Sequence, residues 1–359
     1  MGVSRALSPN YYLDPETFAK EREKVFYRTW QYAAHISQLE KAGDYVSFQI
    51  MDQDLFLIRD RAGDIRCFYN VCMHRAHRLV EGDGNKRMIV CPYHAWAYGL
   101  DGKLRTAMNH EKVEGFDKDS ICLTEVRTEA LWGFIFVNLD NEALPMDSWF
   151  PGVREEIKEF VPDIEQLRPM KVFEVEEACN WKVTVENYNE CYHCRFNHQT
   201  FATGVLDGET FNILPDSHVL RHTAVAADLD KMTYPIDPDS NPRATDYGSW
   251  FLWPGVSFQV YPGNVLNTYH FVPHGIDKTI VNRGWYTVGG HESQVIEKLA
   301  QQDFDTTLSE DIRLVESVQR GLSSRGYRPG PLIIDPDTGV NSEHTIKALN
   351  DWLLEAIEA

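Results

Sequence analysis

Two short pairs of metal-binding residue types, separated by sixteen residues, are the most informative feature of the sequence. Cys72-x-His74 is the first pair, and Cys91-x-x-His94 is the second. Two thiolates and two neutral imidazoles suit a [2Fe–2S] cluster, with the cysteines on one iron and the histidines on the other. The same ligand types can also hold zinc in a tetrahedron. The four residues therefore indicate either an electron-transfer centre or a structural metal site.

The arrangement of the ligands favours the cluster. Zinc fingers usually separate their cysteines from their histidines, whereas each pair here carries one of each. The segment after His94 reaches an Asp101-Gly102 pair, which predicts a hairpin with a type I′ turn. The pairs and the segment after them resemble Rieske proteins. This resemblance implies a [2Fe–2S] cluster bound by all four residues.

A second group of candidate ligands lies further along the chain, at His193 and His198. Five residues correspond to about 500° around an ideal helix, so the two rings would not share one face of a continuous helix. The helix must end or bulge between them if both imidazoles are to reach one ion. Taken alone, two such histidines are more often ordinary polar residues than ligands.

A carboxylate on a late helix changes that balance. The helix carries an apolar stripe made of Phe304, Leu308, Val315, Val318 and Leu322. Asp311 fills the gap in this stripe, and a core-facing carboxylate is costly unless it is paired or binds a metal. Two histidines and one carboxylate form the facial triad of non-haem Fe(II) oxygenases. The alternatives are a solvent-facing segment or a salt bridge to Arg313 or Arg320, and Asp303 and Asp305 are weaker rivals.

Composition limits the classes of protein. The chain has 359 residues, enough for two domains, and 54 acidic against 35 basic residues give a net charge of −19. This charge argues against nucleic-acid binding and weakly favours a cationic substrate or a basic partner, although solubility alone explains it equally well. There is no signal-peptide pattern and no stretch of about 18 to 20 apolar residues, so we expect a cytoplasmic protein without a membrane span.

The seven cysteines do not resemble a disulfide framework. We expect Cys67, Cys122 and Cys179 to be small buried residues. Cys191 and Cys194 form a Cys-x-x-Cys pair, but a redox pair needs an exposed helix N-terminus. In the middle of a helix they are expected to be structural.

Periodicity predicts an α+β chain with three parts. Residues 1–36 contain a helix from about Pro15 to Trp30 with Asp14 as its N-cap. Residues 37–145 show short alternating runs that predict an all-β cluster domain. Residues 146–359 mix strands with helices, including a long helix from about Ser293 to Leu322, and predict a second domain.

Beyond the cluster motif, the sequence resembles the catalytic subunit of Rieske non-haem iron oxygenases over nearly its whole length. The likeness starts at a Tyr-x-x-Asp-Pro-x-x-Phe pattern from Tyr11, includes Glu-Asn-Tyr-x-Glu-x-Tyr-His, and reaches the 309–321 segment. The resemblance implies that His193, His198 and Asp311 hold a mononuclear Fe(II). It also implies a helix-grip catalytic domain with an antiparallel sheet, and a head-to-tail ring, usually a trimer.

In such a ring the cluster of one subunit faces the mononuclear iron of its neighbour. The resemblance makes Glu190 the acidic bridge between His94 and His193, and its spacing predicts that it shares a helix face with His193. Many ring-hydroxylating members have Asp at this position. The Glu resembles the branch that oxidises quaternary ammonium compounds such as glycine betaine, carnitine or proline betaine.

The reaction implied is O₂-dependent hydroxylation, leading to N-demethylation of such a cation. Hydroxylation or O-demethylation of an aromatic acid is the alternative within this class, and an electron carrier or a ligand-binding protein are alternatives outside it. Aromatic side chains that could hold a trimethylammonium by cation–π attraction are Tyr188, Tyr192, Trp250, Trp253, Phe258, Tyr261, Tyr269 and Phe271. We single out five of these: Tyr188, Trp250, Phe258, Tyr261 and Tyr269.

The electrons must come from a separate protein. No cysteine follows Cys194, so the second half of the chain cannot hold a plant-type ferredoxin cluster. No Gly-x-Gly-x-x-Gly fingerprint for a flavin or nicotinamide occurs. We therefore expect a flavin- or ferredoxin-type reductase partner that draws on NAD(P)H.

Overall fold

A computed structural model of the protein describes residues 3–337 and 339–358. The chain divides into two compact units. One contains Phe26–Leu144, and the other contains the segment up to Val25 together with the chain from Pro145 onward. Over the described part of the chain, no helix combines the length and apolar character needed to cross a membrane.

The chain begins with two short helices, α1 (Asn10–Leu13) and α2 (Pro15–Glu21). The predicted cap of α2 is confirmed, because the Asp14 carboxylate accepts the backbone N–H groups of Glu16 and Thr17. The helix continues as a single π-helical turn and ends at Phe26. The expected extension to Trp30 is wrong, because the chain turns there to enter the first strand.

The first unit is all-β, as the sequence predicts. Its ten strands are β1 (Gln31–His35), β2 (Asp44–Ile50), β3 (Gln53–Arg59), β4 (Ile65–Tyr69), β5 (Asp83–Asn85), β6 (Ile89–Val90), β7 (Ala97–Tyr98), β8 (Leu104–Thr106), β9 (Glu125–Leu131) and β10 (Phe134–Asn138). Seven of them form an antiparallel sheet in the order β1-β10-β9-β4-β3-β2-β5, and β6-β7-β8 form a smaller sheet.

The hairpin between β7 and β8 forms, but its turn is not type I′. That turn needs a positive φ at both central residues, and here Gly102 has φ 80° while Asp101 does not have a positive φ. The Gly102 N–H donates to the Gly99 carbonyl at 3.0 Å, which closes the turn one residue earlier. A Cβ on Gly102 would lie 2.6 Å from a ring carbon of Phe68, so glycine is required for space as well as for φ.

The second unit combines helices with one sheet, which confirms the α+β class. Its elements are α3 (Met146–Trp149), α4 (Val153–Phe160), β11 (Leu167–Glu177), α5 (Trp181–Tyr188), α6 (Cys194–Asn197), α7 (Gln199–Gly204), β12 (Asn212–Asp216), β13 (Val219–Val225), β14 (Asp246–Leu252), β15 (Val256–Tyr261), β16 (Val265–Pro273), β17 (Thr279–Val288), α8 (Gln294–Asp303), α9 (Ser309–Leu322) and α10 (His344–Glu358). The sheet is antiparallel, in the order β11-β17-β16-β15-β14-β13-β12.

The central strand β15 is buried along its whole length. Because side chains alternate along a strand, Ser257, Gln259 and Tyr261 share one face, and Phe258 lies on the other. The first face carries polar groups, and buried polar groups need hydrogen-bond partners. The Tyr188 hydroxyl on α5 supplies one, since it donates to the Ser257 hydroxyl at 2.8 Å. This contact draws α5 against the polar face of the sheet.

The long helix predicted from Ser293 to Leu322 spans those residues, with a π-helical turn at Phe304–Leu308 between α8 and α9. The extra residue in this turn shifts the helical register. Phe304 and Val318 are 37% and 50% exposed, so the expected apolar stripe is wrong at these two positions. Its other members, Leu308, Val315 and Leu322, are buried.

Candidate metal centres

The two cysteine-histidine pairs lie on loops of matching backbone structure, residues 72–77 after β4 and 91–96 after β6, here called the cluster loops. In each loop the cysteine N–H donates to the carbonyl five residues later at 2.8 Å, and the cysteine carbonyl accepts the N–H four residues later at 3.0 Å. That fourth residue is Ala76 in one loop and Ala95 in the other, with φ of 54° and 58°. The loops are therefore two copies of one ligand-presenting turn.

The two cysteines lie next to each other, and so do the two histidines. Burial and the neighbouring Cys72 raise the pKa of Cys91, and both cysteines are buried. The His74 and His94 rings lie 4.6 Å apart between centroids, in an edge-on arrangement. Two adjacent thiols and two adjacent imidazoles match a [2Fe–2S] cluster, in which each iron takes one pair.

Aromatic side chains contact three of the four ligands. His74 stacks on Trp96 at 4.7 Å between ring centroids, and His94 stacks on Tyr93 at 3.7 Å. The Tyr98 hydroxyl lies 3.2 Å from the Cys72 sulfur. These contacts restrict the ligands before any metal binds, which lowers the entropy that metal binding must remove.

A second group of candidate ligands, His193, His198 and Asp311, is called the triad below. The helix is interrupted between the histidines, as their spacing requires. Helix α5 ends at Tyr188, His193 precedes α6, and His198 lies between α6 and α7. The two Nε2 atoms are 2.9 Å apart. An Asp311 carboxylate oxygen lies 3.0 Å from Nε2 of His198 and 3.5 Å from Nε2 of His193.

The electrostatics of the triad favour a bound cation. Burial opposes protonation of His193, but hydrogen bonds to Asp311 and Glu190 outweigh it and raise the pKa of His193 to about 10. Burial also opposes ionisation of Asp311, yet its two histidine partners lower the pKa of that carboxyl. All three ligand atoms lie within 4.8 Å of one another. Two imidazoles and a carboxylate that converge in this way fit non-haem iron.

A carboxylate contacts the outer nitrogen of each histidine. Glu190 bonds Nδ1 of His193, and Glu310 lies 2.8 Å from Nδ1 of His198. Such contacts turn each Nε2 toward the shared point and fix the ring orientation. The expectation that Glu190 and His193 share a helix face is wrong, because α5 ends at Tyr188 and the contact forms within a turn. Glu310 was not anticipated, although it is the residue next to Asp311.

The rival carboxylates of the same helix have other partners. Asp303 is buried in an ion pair with Arg283 at 2.7 Å and accepts the Tyr261 hydroxyl at 3.0 Å. Asp305 accepts a hydrogen bond from Gln301 at an exposed position. Neither residue reaches the triad.

The cysteines next to the triad depart from expectation. Cys191 and Cys194 form a disulfide, and neither lies in the middle of a helix. The prediction of mid-helix structural thiols is therefore wrong. Cys67 and Cys179 are buried as predicted, whereas Cys122 is exposed, contrary to the prediction.

A cavity of about 50 Å³ opens beside the triad. The aromatic residues that line it are Tyr188, Phe201, Phe211, Tyr247, Tyr261 and Tyr269. Three of these were expected from the sequence, and the other three were not. The alternation of β14 could have indicated Tyr247, which faces the same way as Ser249.

The other expected aromatic residues lie elsewhere. Trp250 donates its indole N–H to Glu156 and packs edge-on against Phe160, outside the cavity lining. Phe258 is buried on the opposite face of β15. Tyr192, Trp253 and Phe271 are also absent from the residues that line this cavity. The prediction is therefore wrong for Trp250 and Phe258.

Comparison with known families identifies the class of the protein. Residues 164–359 match the family model of the ring-hydroxylating α subunit (catalytic domain), and residues 29–117 match that of the Rieske [2Fe–2S] domain. The chain therefore belongs to the Rieske non-haem iron oxygenases, as an α subunit. Membership implies a Rieske [2Fe–2S] cluster and a mononuclear iron site.

Within this class the chain is similar to oxygenases of quaternary ammonium compounds. The carnitine monooxygenase oxygenase subunit of Escherichia coli (strain K12) is 35% identical, over 97% of this chain and 92% of the relative. The chloroplastic choline monooxygenase of Beta vulgaris is 30% identical, over 98% and 78%. The solved structure of a quaternary ammonium Rieske monooxygenase matches with a TM-score of 0.88 at 30% identity, over 99% of this chain and 96% of that one.

A more distant structure extends the likeness of the fold. Naphthalene 1,2-dioxygenase with bound indole matches with a TM-score of 0.81 at 18% identity, over 99% of this chain and 94% of that one. At this identity the match concerns the fold alone.

Proposed function

We propose that this oxygenase hydroxylates a methyl group on the nitrogen of a small quaternary ammonium compound. The reaction consumes the substrate C–H bond, one O₂, two electrons and two protons, and it yields a C–OH group and water. The hydroxyl proton is then released and the hydroxylated methyl group leaves as formaldehyde, so that a tertiary amine remains. The observation that carries this proposal is the aromatic-lined cavity beside the triad, and the similarity to carnitine and choline monooxygenases supports it.

Each of the two sites supplies the ligands of one metal centre. We assign the [2Fe–2S] cluster to Cys72, His74, Cys91 and His94, and Fe(II) to the triad. Iron at such a site supplies the activation of O₂ when it is bound. The chain contributes orientation, since Glu190 and Glu310 fix the imidazoles.

The charge and shape of the cavity suit a cation. Six aromatic rings line it, and each favourable cation–π contact contributes about 0.5 to 2 kcal/mol. Glu190 and Asp311 add acidic groups to the lining, and among the described residues that line the cavity there is no Lys or Arg. An aromatic acid carries no cationic group that these rings could hold, so the alternative substrate class is disfavoured.

The proposal also includes the two domains of the chain, its oligomeric state and its reductase partner. We assign the unit Phe26–Leu144, whose sheet includes β1, to the cluster domain, instead of the expected residues 37–145. The segment up to Val25 and the chain from Pro145 onward form the catalytic domain. We propose a head-to-tail homotrimer in which Glu190 links its own His193 to His94 of a neighbouring subunit. The relative from Escherichia coli is named an oxygenase subunit, which supports a separate reductase as the source of electrons.

The proposal is tested with the purified chain, a reductase and NADH. We expect oxygen uptake and formaldehyde release with one or more of glycine betaine, carnitine and proline betaine, and neither with a panel of aromatic acids. Uptake should stop when the reductase is omitted. Turnover of the aromatic acids without turnover of any quaternary ammonium compound would contradict the proposal.

A further inference from the structure

We infer that the substrate carries an uncharged hydrogen-bonding group, such as a hydroxyl, and that Gln259 recognises it. The inference rests on the proposed function, because it concerns the polar end of the same cation. Gln259 lies on β15, lines the cavity and is only 4% exposed. Its amide N–H donates to the Tyr247 hydroxyl at 2.8 Å. Its Oε1 is buried and has no hydrogen-bond partner within the described parts of the chain.

Three tyrosine hydroxyls of the lining are already engaged. The Tyr188 hydroxyl is bonded to two serines on β14 and β15, and the Tyr261 hydroxyl donates to Asp303. The Tyr247 hydroxyl is bonded to Gln259 itself. Since a buried polar atom without a partner is costly, Gln259 gains by bonding a ligand.

A substrate hydroxyl, which both donates and accepts, fits Gln259 better than a group that can only donate or only accept. The side-chain amide can turn by 180°, which exchanges its oxygen and its nitrogen. In one orientation the free atom accepts a hydrogen bond, and in the other it donates one. A hydroxyl can do both, so it satisfies Gln259 either way.

A carboxylate is disfavoured by the charges around the cavity. Two acidic side chains, Glu190 and Asp311, already line it, and their charges balance that of a divalent ion. Arg283 is close to the Tyr269 ring, with its guanidinium carbon 3.4 Å from the ring centroid, but it is absent from the lining and its charge is paired with Asp303. A buried substrate carboxylate would therefore lack a cationic partner. An amino alcohol should bind better than a betaine of equal size.

The opposite end of such a molecule has an aromatic surface within reach. The Tyr247 ring lies 5.9 to 6.0 Å between centroids from Phe201, Phe211 and Tyr261. Because Gln259 is hydrogen-bonded to Tyr247, the polar group and the aromatic rings are adjacent. A trimethylammonium and a hydroxyl two carbons away can contact both.

The test compares three small cations on the iron-loaded enzyme with its reductase: choline, glycine betaine and ethyltrimethylammonium, which lacks the hydroxyl of choline. We expect substrate-dependent oxygen uptake to give the highest kcat/KM for choline, at least ~10-fold above glycine betaine. In Gln259→Met, the ratio of kcat/KM for choline to that for ethyltrimethylammonium should fall ~3- to 10-fold. The surface variant Gln301→Met is the matched control and should keep the ratio of the unchanged enzyme.

Several outcomes overturn the inference. A higher kcat/KM for glycine betaine than for choline in the unchanged enzyme would overturn it. An unchanged ratio of kcat/KM for choline to that for ethyltrimethylammonium in Gln259→Met would also overturn it. If Gln259→Met fails to fold, Gln259→Asn, which keeps the amide but shortens its reach, takes its place in the same test. If the enzyme oxidises none of these three compounds and neither carnitine nor proline betaine, the proposed function and this inference are both overturned.

Discussion

The two metal centres are built in different ways. The cluster loops take two ligands each from within four residues, and matching backbone hydrogen bonds shape both loops. The triad takes its ligands from separate segments of the chain, and 112 residues lie between His198 and Asp311. A short loop can present its ligands through local hydrogen bonds alone. The triad exists only when α9 packs beside the turn that holds the histidines, so its geometry depends on the tertiary fold.

Loss of the Asp311 carboxylate should break the triad alone and have the largest effect. In Asp311→Ala we expect iron to fall from three to two atoms per chain and substrate-dependent oxygen uptake to drop at least ~100-fold, because one metal ligand is gone. Metal analysis, cluster absorption and oxygen uptake would measure this. Asp305→Ala, an exposed change on the same helix, is the control. Retention of three irons in Asp311→Ala would exclude Asp311 as a ligand.

The reciprocal change should remove the cluster and leave the triad intact. In Cys72→Ser we expect iron to fall from three atoms to one and the cluster absorption to disappear, since a hydroxyl replaces a thiolate ligand. Reductase-driven turnover should be lost. Cys122→Ser, at an exposed cysteine, should keep all three irons. Zinc in the unchanged protein in place of iron would show that the loops hold a structural site instead.

Glu190 and Glu310 allow a finer comparison within the triad. Both carboxylates contact an outer imidazole nitrogen, but only Glu190 is proposed to link two subunits. We expect Glu190→Gln to lower turnover ~10- to 100-fold while iron is retained, and Glu310→Gln to weaken iron binding ~10-fold. Reduction of the cluster should proceed at the same rate in both variants. Equal effects of the two substitutions on turnover and on iron affinity would remove the special role of Glu190.

Removal of the metal from the triad should make the free energy of unfolding of the protein depend on pH. In the metal-free protein the folded pKa of His193 is raised to about 10, above its ordinary value near 6.5. This stabilises the folded state fully below about pH 6.5, and the stabilisation is lost as pH rises toward about 10. The free energy of unfolding, measured by urea at pH 6.5, 8 and 10, should fall across this range. His193→Gln, without this proton, should show a smaller decline, and equal declines would contradict the assignment.

The smallest expected effect concerns the disulfide beside the triad. Cys191 and Cys194 close a four-residue loop that contains His193. Constraint of so short a loop in the unfolded chain stabilises the folded state by about 2 kcal/mol. The double variant Cys191→Ala/Cys194→Ala should lose about that much in urea unfolding, whereas Cys122→Ser should lose less. No difference between the two would show that the disulfide contributes nothing to stability.

The difference between the centres also explains what could be predicted. The cluster pairs were visible because their ligands are close in sequence, and the break between His193 and His198 followed from helix geometry alone. Glu310 was missed because Asp311 already satisfied the pattern of the apolar stripe. The side chain that reaches His198 from the same helix depends on how α9 packs, and sequence periodicity does not contain that information.

The cavity was the least predictable part. Strand β15 is buried on both faces, so its apolar pattern is continuous and does not indicate which face borders the cavity. For this reason Phe258 was expected at the substrate, and Gln259 on the opposite face was not considered. Phe201 and Phe211 come from a short helix and a connecting segment with no periodic signal. The α+β class, in contrast, depends on long-range patterns that many residues repeat.

The π-helical turn at Phe304–Leu308 has a genetic consequence. It holds one residue more than the same length of regular α-helix, and each residue of an α-helix turns the chain by about 100°. Deletion of a single codon in this turn would therefore leave a regular α-helix of the same length, and the later side chains would keep their directions relative to α8. In a regular α-helix the same loss would turn every later side chain by that angle. A one-codon deletion in the π-helical turn is thus expected to leave Asp311 facing the two imidazoles.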